Sequence, residues 1–217
     1  MEKTHNILIT VSRQIASGGT YVARMVAKRL SLKYVDRDVL RKAAEYFGTD
    51  EETISYCDEK AAGFWDNLMK AFYFGTPETP YMVSPSRPIY ERELFEVEVN
   101  IIKNIARECN AIIVGRGGLH ILKGHPGLVN VFLHAPLSFR IKRIMAVHNI
   151  TDKDSAISEI KESDRRREKF LRSMTGMEWT DARNYHLCLD TSASGFEAAE
   201  EMIVRLVDKI RHKLGQQ

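Results

Sequence analysis

The chain has 217 residues, 44% hydrophobic and 28% charged, with 32 basic against 29 acidic side chains and a net charge of +3. That suits one domain spanning 1–217 with a sizeable core, and the charges are too balanced for bulk binding of a nucleic acid polymer. Cys57, Cys109 and Cys188 form no C-x-x-C pair, and no apolar run has the length of a membrane span or the shape of a signal peptide, so reduced thiols and a cytoplasmic location are expected.

The first predicted strand is Asn6–Val11, and the next residues read SRQIASGGTYVARMVAKRL. Val22, Val26 and Leu30, with Ala23 and Ala27, recur at spacings of three and four, which predicts a helix after the two glycines. Lys33–Val35 is a short β-rich run, followed by DRDVLRKAA, where Asp36 has the character of a helix N-cap. A largely helical insertion is expected over 45–100, broken by the proline-rich stretch 75–88. Two further strands are predicted at Ala111–Val114, which runs into GRGG, and at Val129–Leu133. Residues 140–172 are polar, basic and helical in period, and contain DRRREKFLR. A last strand, Tyr185–Leu189, precedes a helix whose face carries Phe196, Ala199, Ile203, Leu206, Val207 and Ile210, with Ser194 and Glu197 as a capping box. Strands alternating with helices predict a parallel sheet covered on both faces. Trp65 and Trp179 read as packing residues, and the histidines do not cluster with acids or cysteines at metal-ligand spacing.

The segment after the first strand has the order of a phosphate-binding loop but lacks part of its chemistry. Against the pattern G-x-x-x-x-G-K-[ST], Arg13 stands at the first glycine and Gly19 at the lysine; Gly18 and Thr20 fit. Such a loop works through backbone N–H groups at a helix N-terminus, which Ser17, Gly18, Gly19 and Thr20 supply. Thr20 could reach Mg²⁺ through its hydroxyl, and Arg13 could return the missing charge from the other end of the loop. A tight turn that merely packs a helix on a strand remains the rival reading of this segment.

Taken together, the ordered blocks SRQIASGGTY, KYVDRDVL, AIIVGRGG, VNVFLHAPLSFRIKRI, DRRREKF and LCLDTS resemble the cytidylate kinase-like family over nearly the whole chain. The resemblance implies an α/β fold of the P-loop nucleoside-monophosphate-kinase type, with a five-stranded parallel sheet, a helical acceptor-side insertion and a lid at 140–172. It implies ATP and Mg²⁺ as cofactors, small nucleotide substrates, no nucleic acid polymer and no membrane, and it leaves a homodimer open. Ser17, Gly18, Gly19 and Thr20 would hold the donor phosphates, with Arg13 as the charge donor. Asp36 and Thr20 would stand near the metal. Asp36, Lys42, Arg116 and Arg167 would face the acceptor. Arg143, Asp164 and Arg167 would act from the lid, where Arg140 also lies and Arg165 and Arg166 read as solvated. Gly117 departs from the aspartate of the family's G-R-D loop, which loosens the expected recognition of cytosine. The leading expectation is ATP-dependent phosphoryl transfer to CMP or dCMP. A kinase for a non-nucleotide acceptor and a nucleotide-binding sensor with little turnover are the alternatives.

Overall fold

The computed structural model describes residues 5–47 and 91–216, without the side chains of 42, 44–47 and 91–93. Cys57, Trp65, the 75–88 stretch and the Lys42 side chain therefore lie outside the described residues. Five parallel strands form one sheet: β1 (Leu8–Arg13), β2 (Lys33–Val35), β3 (Ala111–Val114), β4 (Leu128–His134) and β5 (Leu187–Asp190), in the order β2-β3-β1-β4-β5.

Both faces of this sheet are buried, so its strands read as nearly unbroken apolar runs. On one face Ile9, Val11, Ile112, Val114, Val129 and Val131 meet two helices. These are α1 (Gly19–Arg29), which contributes Val22, Ala23 and Val26, and the C-terminal α8 (Phe196–Leu214), which contributes Ala199, Ile203 and Val207. The other face, with Leu8, Ala111 and Ile113, packs on α2 (Arg37–Phe47) and α3 (Glu91–Glu108). α3 inserts Val97, Ile101, Ile102 and Ile105 into that core. Its apolar spacing puts it in the core layer, so the last residues of the expected 45–100 insertion are a structural helix.

The remaining helices follow the C-terminal ends of β3, β4 and β5. A short α4 (Gly118–Ile121) follows β3. The hairpin of α5 (Leu137–His148) and α6 (Lys153–Thr175) follows β4 and spans the expected helical stretch 140–172 with slightly wider bounds. A 3-10 turn (Ala182–Asn184) leads into β5, and α7 (Thr191–Ser194) leads out of it. The hairpin has a small core of its own, Ile141, Ile144, Ala156 and Ile160, against which Ile15 and Ala16 pack.

Two local expectations change. β1 runs two residues past Val11, because Ser12 and Arg13 continue the ladder opposite Phe132 and Leu133. The Ser194–Glu197 capping box does not form: Gly195 takes the N-cap of α8 with φ +74°, and the Ser194 hydroxyl donates to the Asp190 and Gly195 carbonyls. Ser194 closes α7, so its side chain turns back towards that helix.

Candidate active site

The Arg13–Thr20 segment is held from three sides. Gln14 N–H donates to the Leu133 carbonyl (3.0 Å), Thr191 Oγ1 donates to the Ser17 carbonyl (2.5 Å), and Ile15 N–H donates to Asp164 Oδ1 (3.0 Å). The Ser17 hydroxyl is fully buried and faces the Gln14 and Leu133 carbonyls at 2.9 and 3.2 Å. Its side chain thus braces the loop from beneath, and its N–H, expected among the phosphate donors, points to the Gln14 carbonyl at 3.4 Å. Ala16 (φ +58°) and Gly18 (φ +81°) alternate into left-handed backbone and turn the chain sharply into α1. Gly18 is also required for space, since a β-carbon there would lie 2.3 Å from the Phe196 ring. On the same side the Arg143 guanidinium stacks over Phe196 at 4.7 Å.

The N-terminus of α1 is open. Gly18 caps it with no side-chain hydrogen bond, no acidic residue stands in its first turn, and the first turn-closing bond is Val22 N–H to the Gly18 carbonyl. Among the described residues, the N–H groups of Gly18, Gly19 and Thr20 have no acceptor. These donors at the positive end of a helix dipole form an anion-binding cradle.

Arg13 lies across this region. A β-carbon at Gly19 would sit 2.5 Å from Arg13 Cβ and 3.0 Å from its Cγ, so the arginine stem fills the space that a longer side chain at position 19 would leave through. Its guanidinium extends over Gly115, where an added β-carbon would lie 2.5 Å from Nη1. Arg13 Nε is buried without a hydrogen-bond partner among the described residues. Burial, and then the like charge of Arg167, push the Arg13 pKa down to about 10; Tyr34 and Asp36 oppose the shift. The group stays cationic at neutral pH.

A cleft of about 610 Å³ opens between β1, β3 and α6. Arg116 lies on its wall in left-handed backbone (φ +53°), between Gly115 and Gly117, which share that conformation. Arg116 Nε donates to Glu98 Oε2 (2.7 Å), Nη2 reaches the same oxygen, and the guanidinium stacks on Phe170 at 4.2 Å. Burial pushes the Glu98 carboxyl up, against the opposing pull of Arg116 and, more weakly, Arg37. Arg116 is therefore held in an ion pair with Glu98, while its side chain still faces the cleft.

On the facing wall, Arg167 Nη1 donates to Ser163 Oγ (2.8 Å) and lies 3.5 Å from Asp164 Oδ1. Burial lowers the Arg167 pKa, offset in part by Asp164. Asp164 has a tighter partner in Arg140, whose Nη1 lies 2.5 Å from Oδ2. One carboxylate thus ties α5, α6 and the glycine loop together. Asp36 Oδ1 accepts from Asp38 and Val39 N–H at 3.1 and 3.2 Å, which makes it the N-cap of α2.

No group of three or more His, Cys, Asp or Glu side chains among the described residues could hold a metal ion. A Mg²⁺ ion that keeps waters and leans on ligand phosphates needs fewer protein ligands. The exposed Thr20 hydroxyl and the second oxygen of Asp36 are compatible with that mode.

Residues 8–193 match the cytidylate kinase-like family. The chain belongs to that family. A cytidylate kinase from Methanocaldococcus jannaschii is 22% identical over 208 residues, covering 94% of this chain and 99% of that protein. An uncharacterized protein from Eubacterium ventriosum has a TM-score of 0.70 at 20% identity, covering 94% of this chain and 99% of its own. A gluconokinase from Sinorhizobium meliloti has a TM-score of 0.51 at 15% identity, covering 96% and 98%. The fold of this cytidylate kinase-like chain is accordingly the three-layer P-loop kinase fold. No helix among the described residues is long and apolar enough to cross a membrane.

The structure gathers Arg13, Arg116 and Arg167 on one cleft and leaves Arg143 on the outer side of the loop, against Phe196. Sequence reasoning missed Glu98, Thr191 and the tie between Arg140 and Asp164. A lone glutamate in an amphipathic helix gives no sign of burial, and the Thr191 hydroxyl acts through a contact 174 residues away in the chain.

Proposed function

We propose that this cytidylate kinase-like chain transfers the terminal phosphoryl group of ATP to a small acceptor that itself carries a phosphate. CMP and dCMP are the first acceptors to test, by kinship with the M. jannaschii cytidylate kinase. The observation that carries this reading is the reciprocal exchange at the loop. The cation that a P-loop supplies from position 19 is supplied from position 13, through the space that Gly19 leaves open.

In this reading the free N–H groups of Gly18, Gly19 and Thr20 receive the donor phosphates, and Arg13, whose Nε has no hydrogen-bond partner among the described residues, brings its charge to the oxygens of the moving phosphoryl group. Thr20 and Asp36 would hold Mg²⁺, which supplies charge neutralisation on those phosphates when bound. Arg116 and Arg167, from opposite walls of the cleft, grip the acceptor phosphate, and Lys42 lies on the acceptor side. Arg143 stands on the donor side. Asp164 holds the α5–α6 hairpin as a lid over the loop, which keeps out water that would hydrolyse the donor. Phosphoryl transfer asks for positioning and charge neutralisation more than for covalent chemistry, and this set provides both.

A second reading, nucleotide binding with little turnover, draws on the Asp164 carboxylate, an internal anion already at a loop N–H. One experiment separates the two: titration with ATP–Mg²⁺, followed by ADP release with CMP and dCMP. Transfer requires both binding and acceptor-dependent ADP. Arg13→Ala should weaken binding by roughly 10- to 100-fold, the loss of one charged hydrogen-bonding partner worth about 1.5–3 kcal/mol. Tight binding without ADP release supports the second reading. Unchanged affinity in Arg13→Ala removes the exchange argument.

A further inference from the structure

Glu98 stands out of place in α3. It falls on the buried stripe of that helix, in helical register with Ile101, Ile102 and Ile105, and it is 1% exposed. Burying a carboxylate costs free energy that a partner must offset, and an apolar side chain packed in the same place is often as stable as a buried ion pair. Stability alone therefore gives no reason for an acid at this position.

Its partner, by contrast, needs a guide. Arg116 lies in left-handed backbone at φ +53°, between Gly115 at +82° and Gly117 at +69°. The Arg116 N–H and carbonyl make no hydrogen bond to the backbone of the described residues, and a glycine on each side gives the chain freedom to turn. The guanidinium is fixed by its side-chain contacts instead. Phe170 covers one face at 4.2 Å, and Nε and Nη2 both donate to Glu98 Oε2, Nε at 2.7 Å. A guanidinium has five N–H donors in a planar fork. Glu98 takes the donors along the Nε edge. The end formed by Nη1 and the other Nη2 hydrogen has no acceptor among the described residues, and Arg116 lines the cleft. Such an end can donate side by side to two oxygens of one phosphate.

We propose that Glu98 is a positioning residue for the acceptor: it holds the Nε edge of Arg116, so that the free end of the guanidinium meets the acceptor phosphate. This rests on the phosphoryl-transfer reading, in which Arg116 grips that phosphate. Glu98 touches no substrate and acts only through Arg116. Phe170 sets the plane of the guanidinium and Glu98 sets its rotation within that plane.

The test uses the full chain. Calorimetry gives the affinity for CMP and for inorganic phosphate, and ADP release gives KM for the acceptor and for ATP. The variants are Glu98→Gln, Glu98→Asp, Arg116→Ala and Arg116→Ala/Glu98→Gln; Arg116→Ala marks the share of each affinity that belongs to this arginine. Glu98→Gln keeps the shape and loses the charge, while Glu98→Asp keeps the charge and draws the oxygens back by one methylene. Each should weaken CMP and phosphate binding and raise the acceptor KM by roughly 10-fold, with KM for ATP unchanged. Added to Arg116→Ala, Glu98→Gln should bring no further loss, which a general loosening of the fold would not reproduce. If Glu98→Gln does not fold, the same comparison is made with Glu98→Asp. Unchanged or tighter CMP binding without the carboxylate, an equal rise in both KM values, or losses that add in the double variant overturns the proposal. So does a wild type that binds neither CMP nor phosphate. A wild type that binds CMP and releases no ADP counts against phosphoryl transfer alone, because the binding measurements still decide the role of Glu98.

Discussion

At the scale of single residues the telling pair is Arg13 and Gly19. Position 19 is helical and has room for a side chain only if position 13 gives way, since their β-carbons would stand 2.5 Å apart. Gly19→Lys alone should therefore destabilise the fold, by about 1–3 kcal/mol as an overpacked contact, read as a lower urea midpoint at constant slope. Combined with Arg13→Gly it should recover stability and restore triphosphate binding lost in Arg13→Gly alone. A double variant no better than the worse single one would separate Arg13 from the lysine's role. The sequence offered both halves of this exchange, because each is a departure from a fixed local spacing. It offered nothing comparable for Glu98, whose burial depends on α3 lying against the end of β3. Nor did it place Arg140 at Asp164, which follows only when α5 and α6 fold back on each other.

Among the elements, the hairpin of α5 and α6 carries a small core of its own, and its attachment to the glycine loop is specific. It rests on Ile15 and Ala16 through its own apolar cluster and on Ile15 N–H through Asp164. The Arg140 and Asp164 side chains are only 9% and 16% exposed, so removing one partner strands a charge away from water. Asp164→Ala should cost about 3 kcal/mol or more. Arg140→Met/Asp164→Ala should return much of it, giving a coupling well above the error of a double-mutant cycle. Additive losses would mean that the pair is incidental. The strands and the helices α1 and α8 were legible from period alone, and α8 shows why the cap was not. Ser194 meets the sequence rule for a capping box, but its hydroxyl is claimed by the preceding α7, whose existence depends on Asp190 accepting from Ser192 N–H.

For the molecule as a whole, alkaline stability should report the packing beside the cleft. Tyr185 donates its hydroxyl to the Trp179 carbonyl (2.7 Å), and burial pushes its pKa up from 10.0 to about 12. The folded chain keeps this proton at a pH where the unfolded chain releases it. The stabilisation is thus complete below pH 10 and lost as pH rises towards 12. Thermal melts across that range should fall for the wild type and fall less for Tyr185→Phe; parallel curves would show that other groups dominate. The parallel sheet and its covering layers followed from the alternation of strands and helices, whereas the strand order did not. The placing of the cleft followed from the switch in strand order around β1, which no local pattern contains. The bond from Ile15 N–H to Asp164 has one more consequence. The hairpin cannot lift without freeing that single amide proton to water. Deuterium uptake at Ile15 is therefore a clock for the hairpin, set by how often the two parts separate and slowed by any ligand that holds them together.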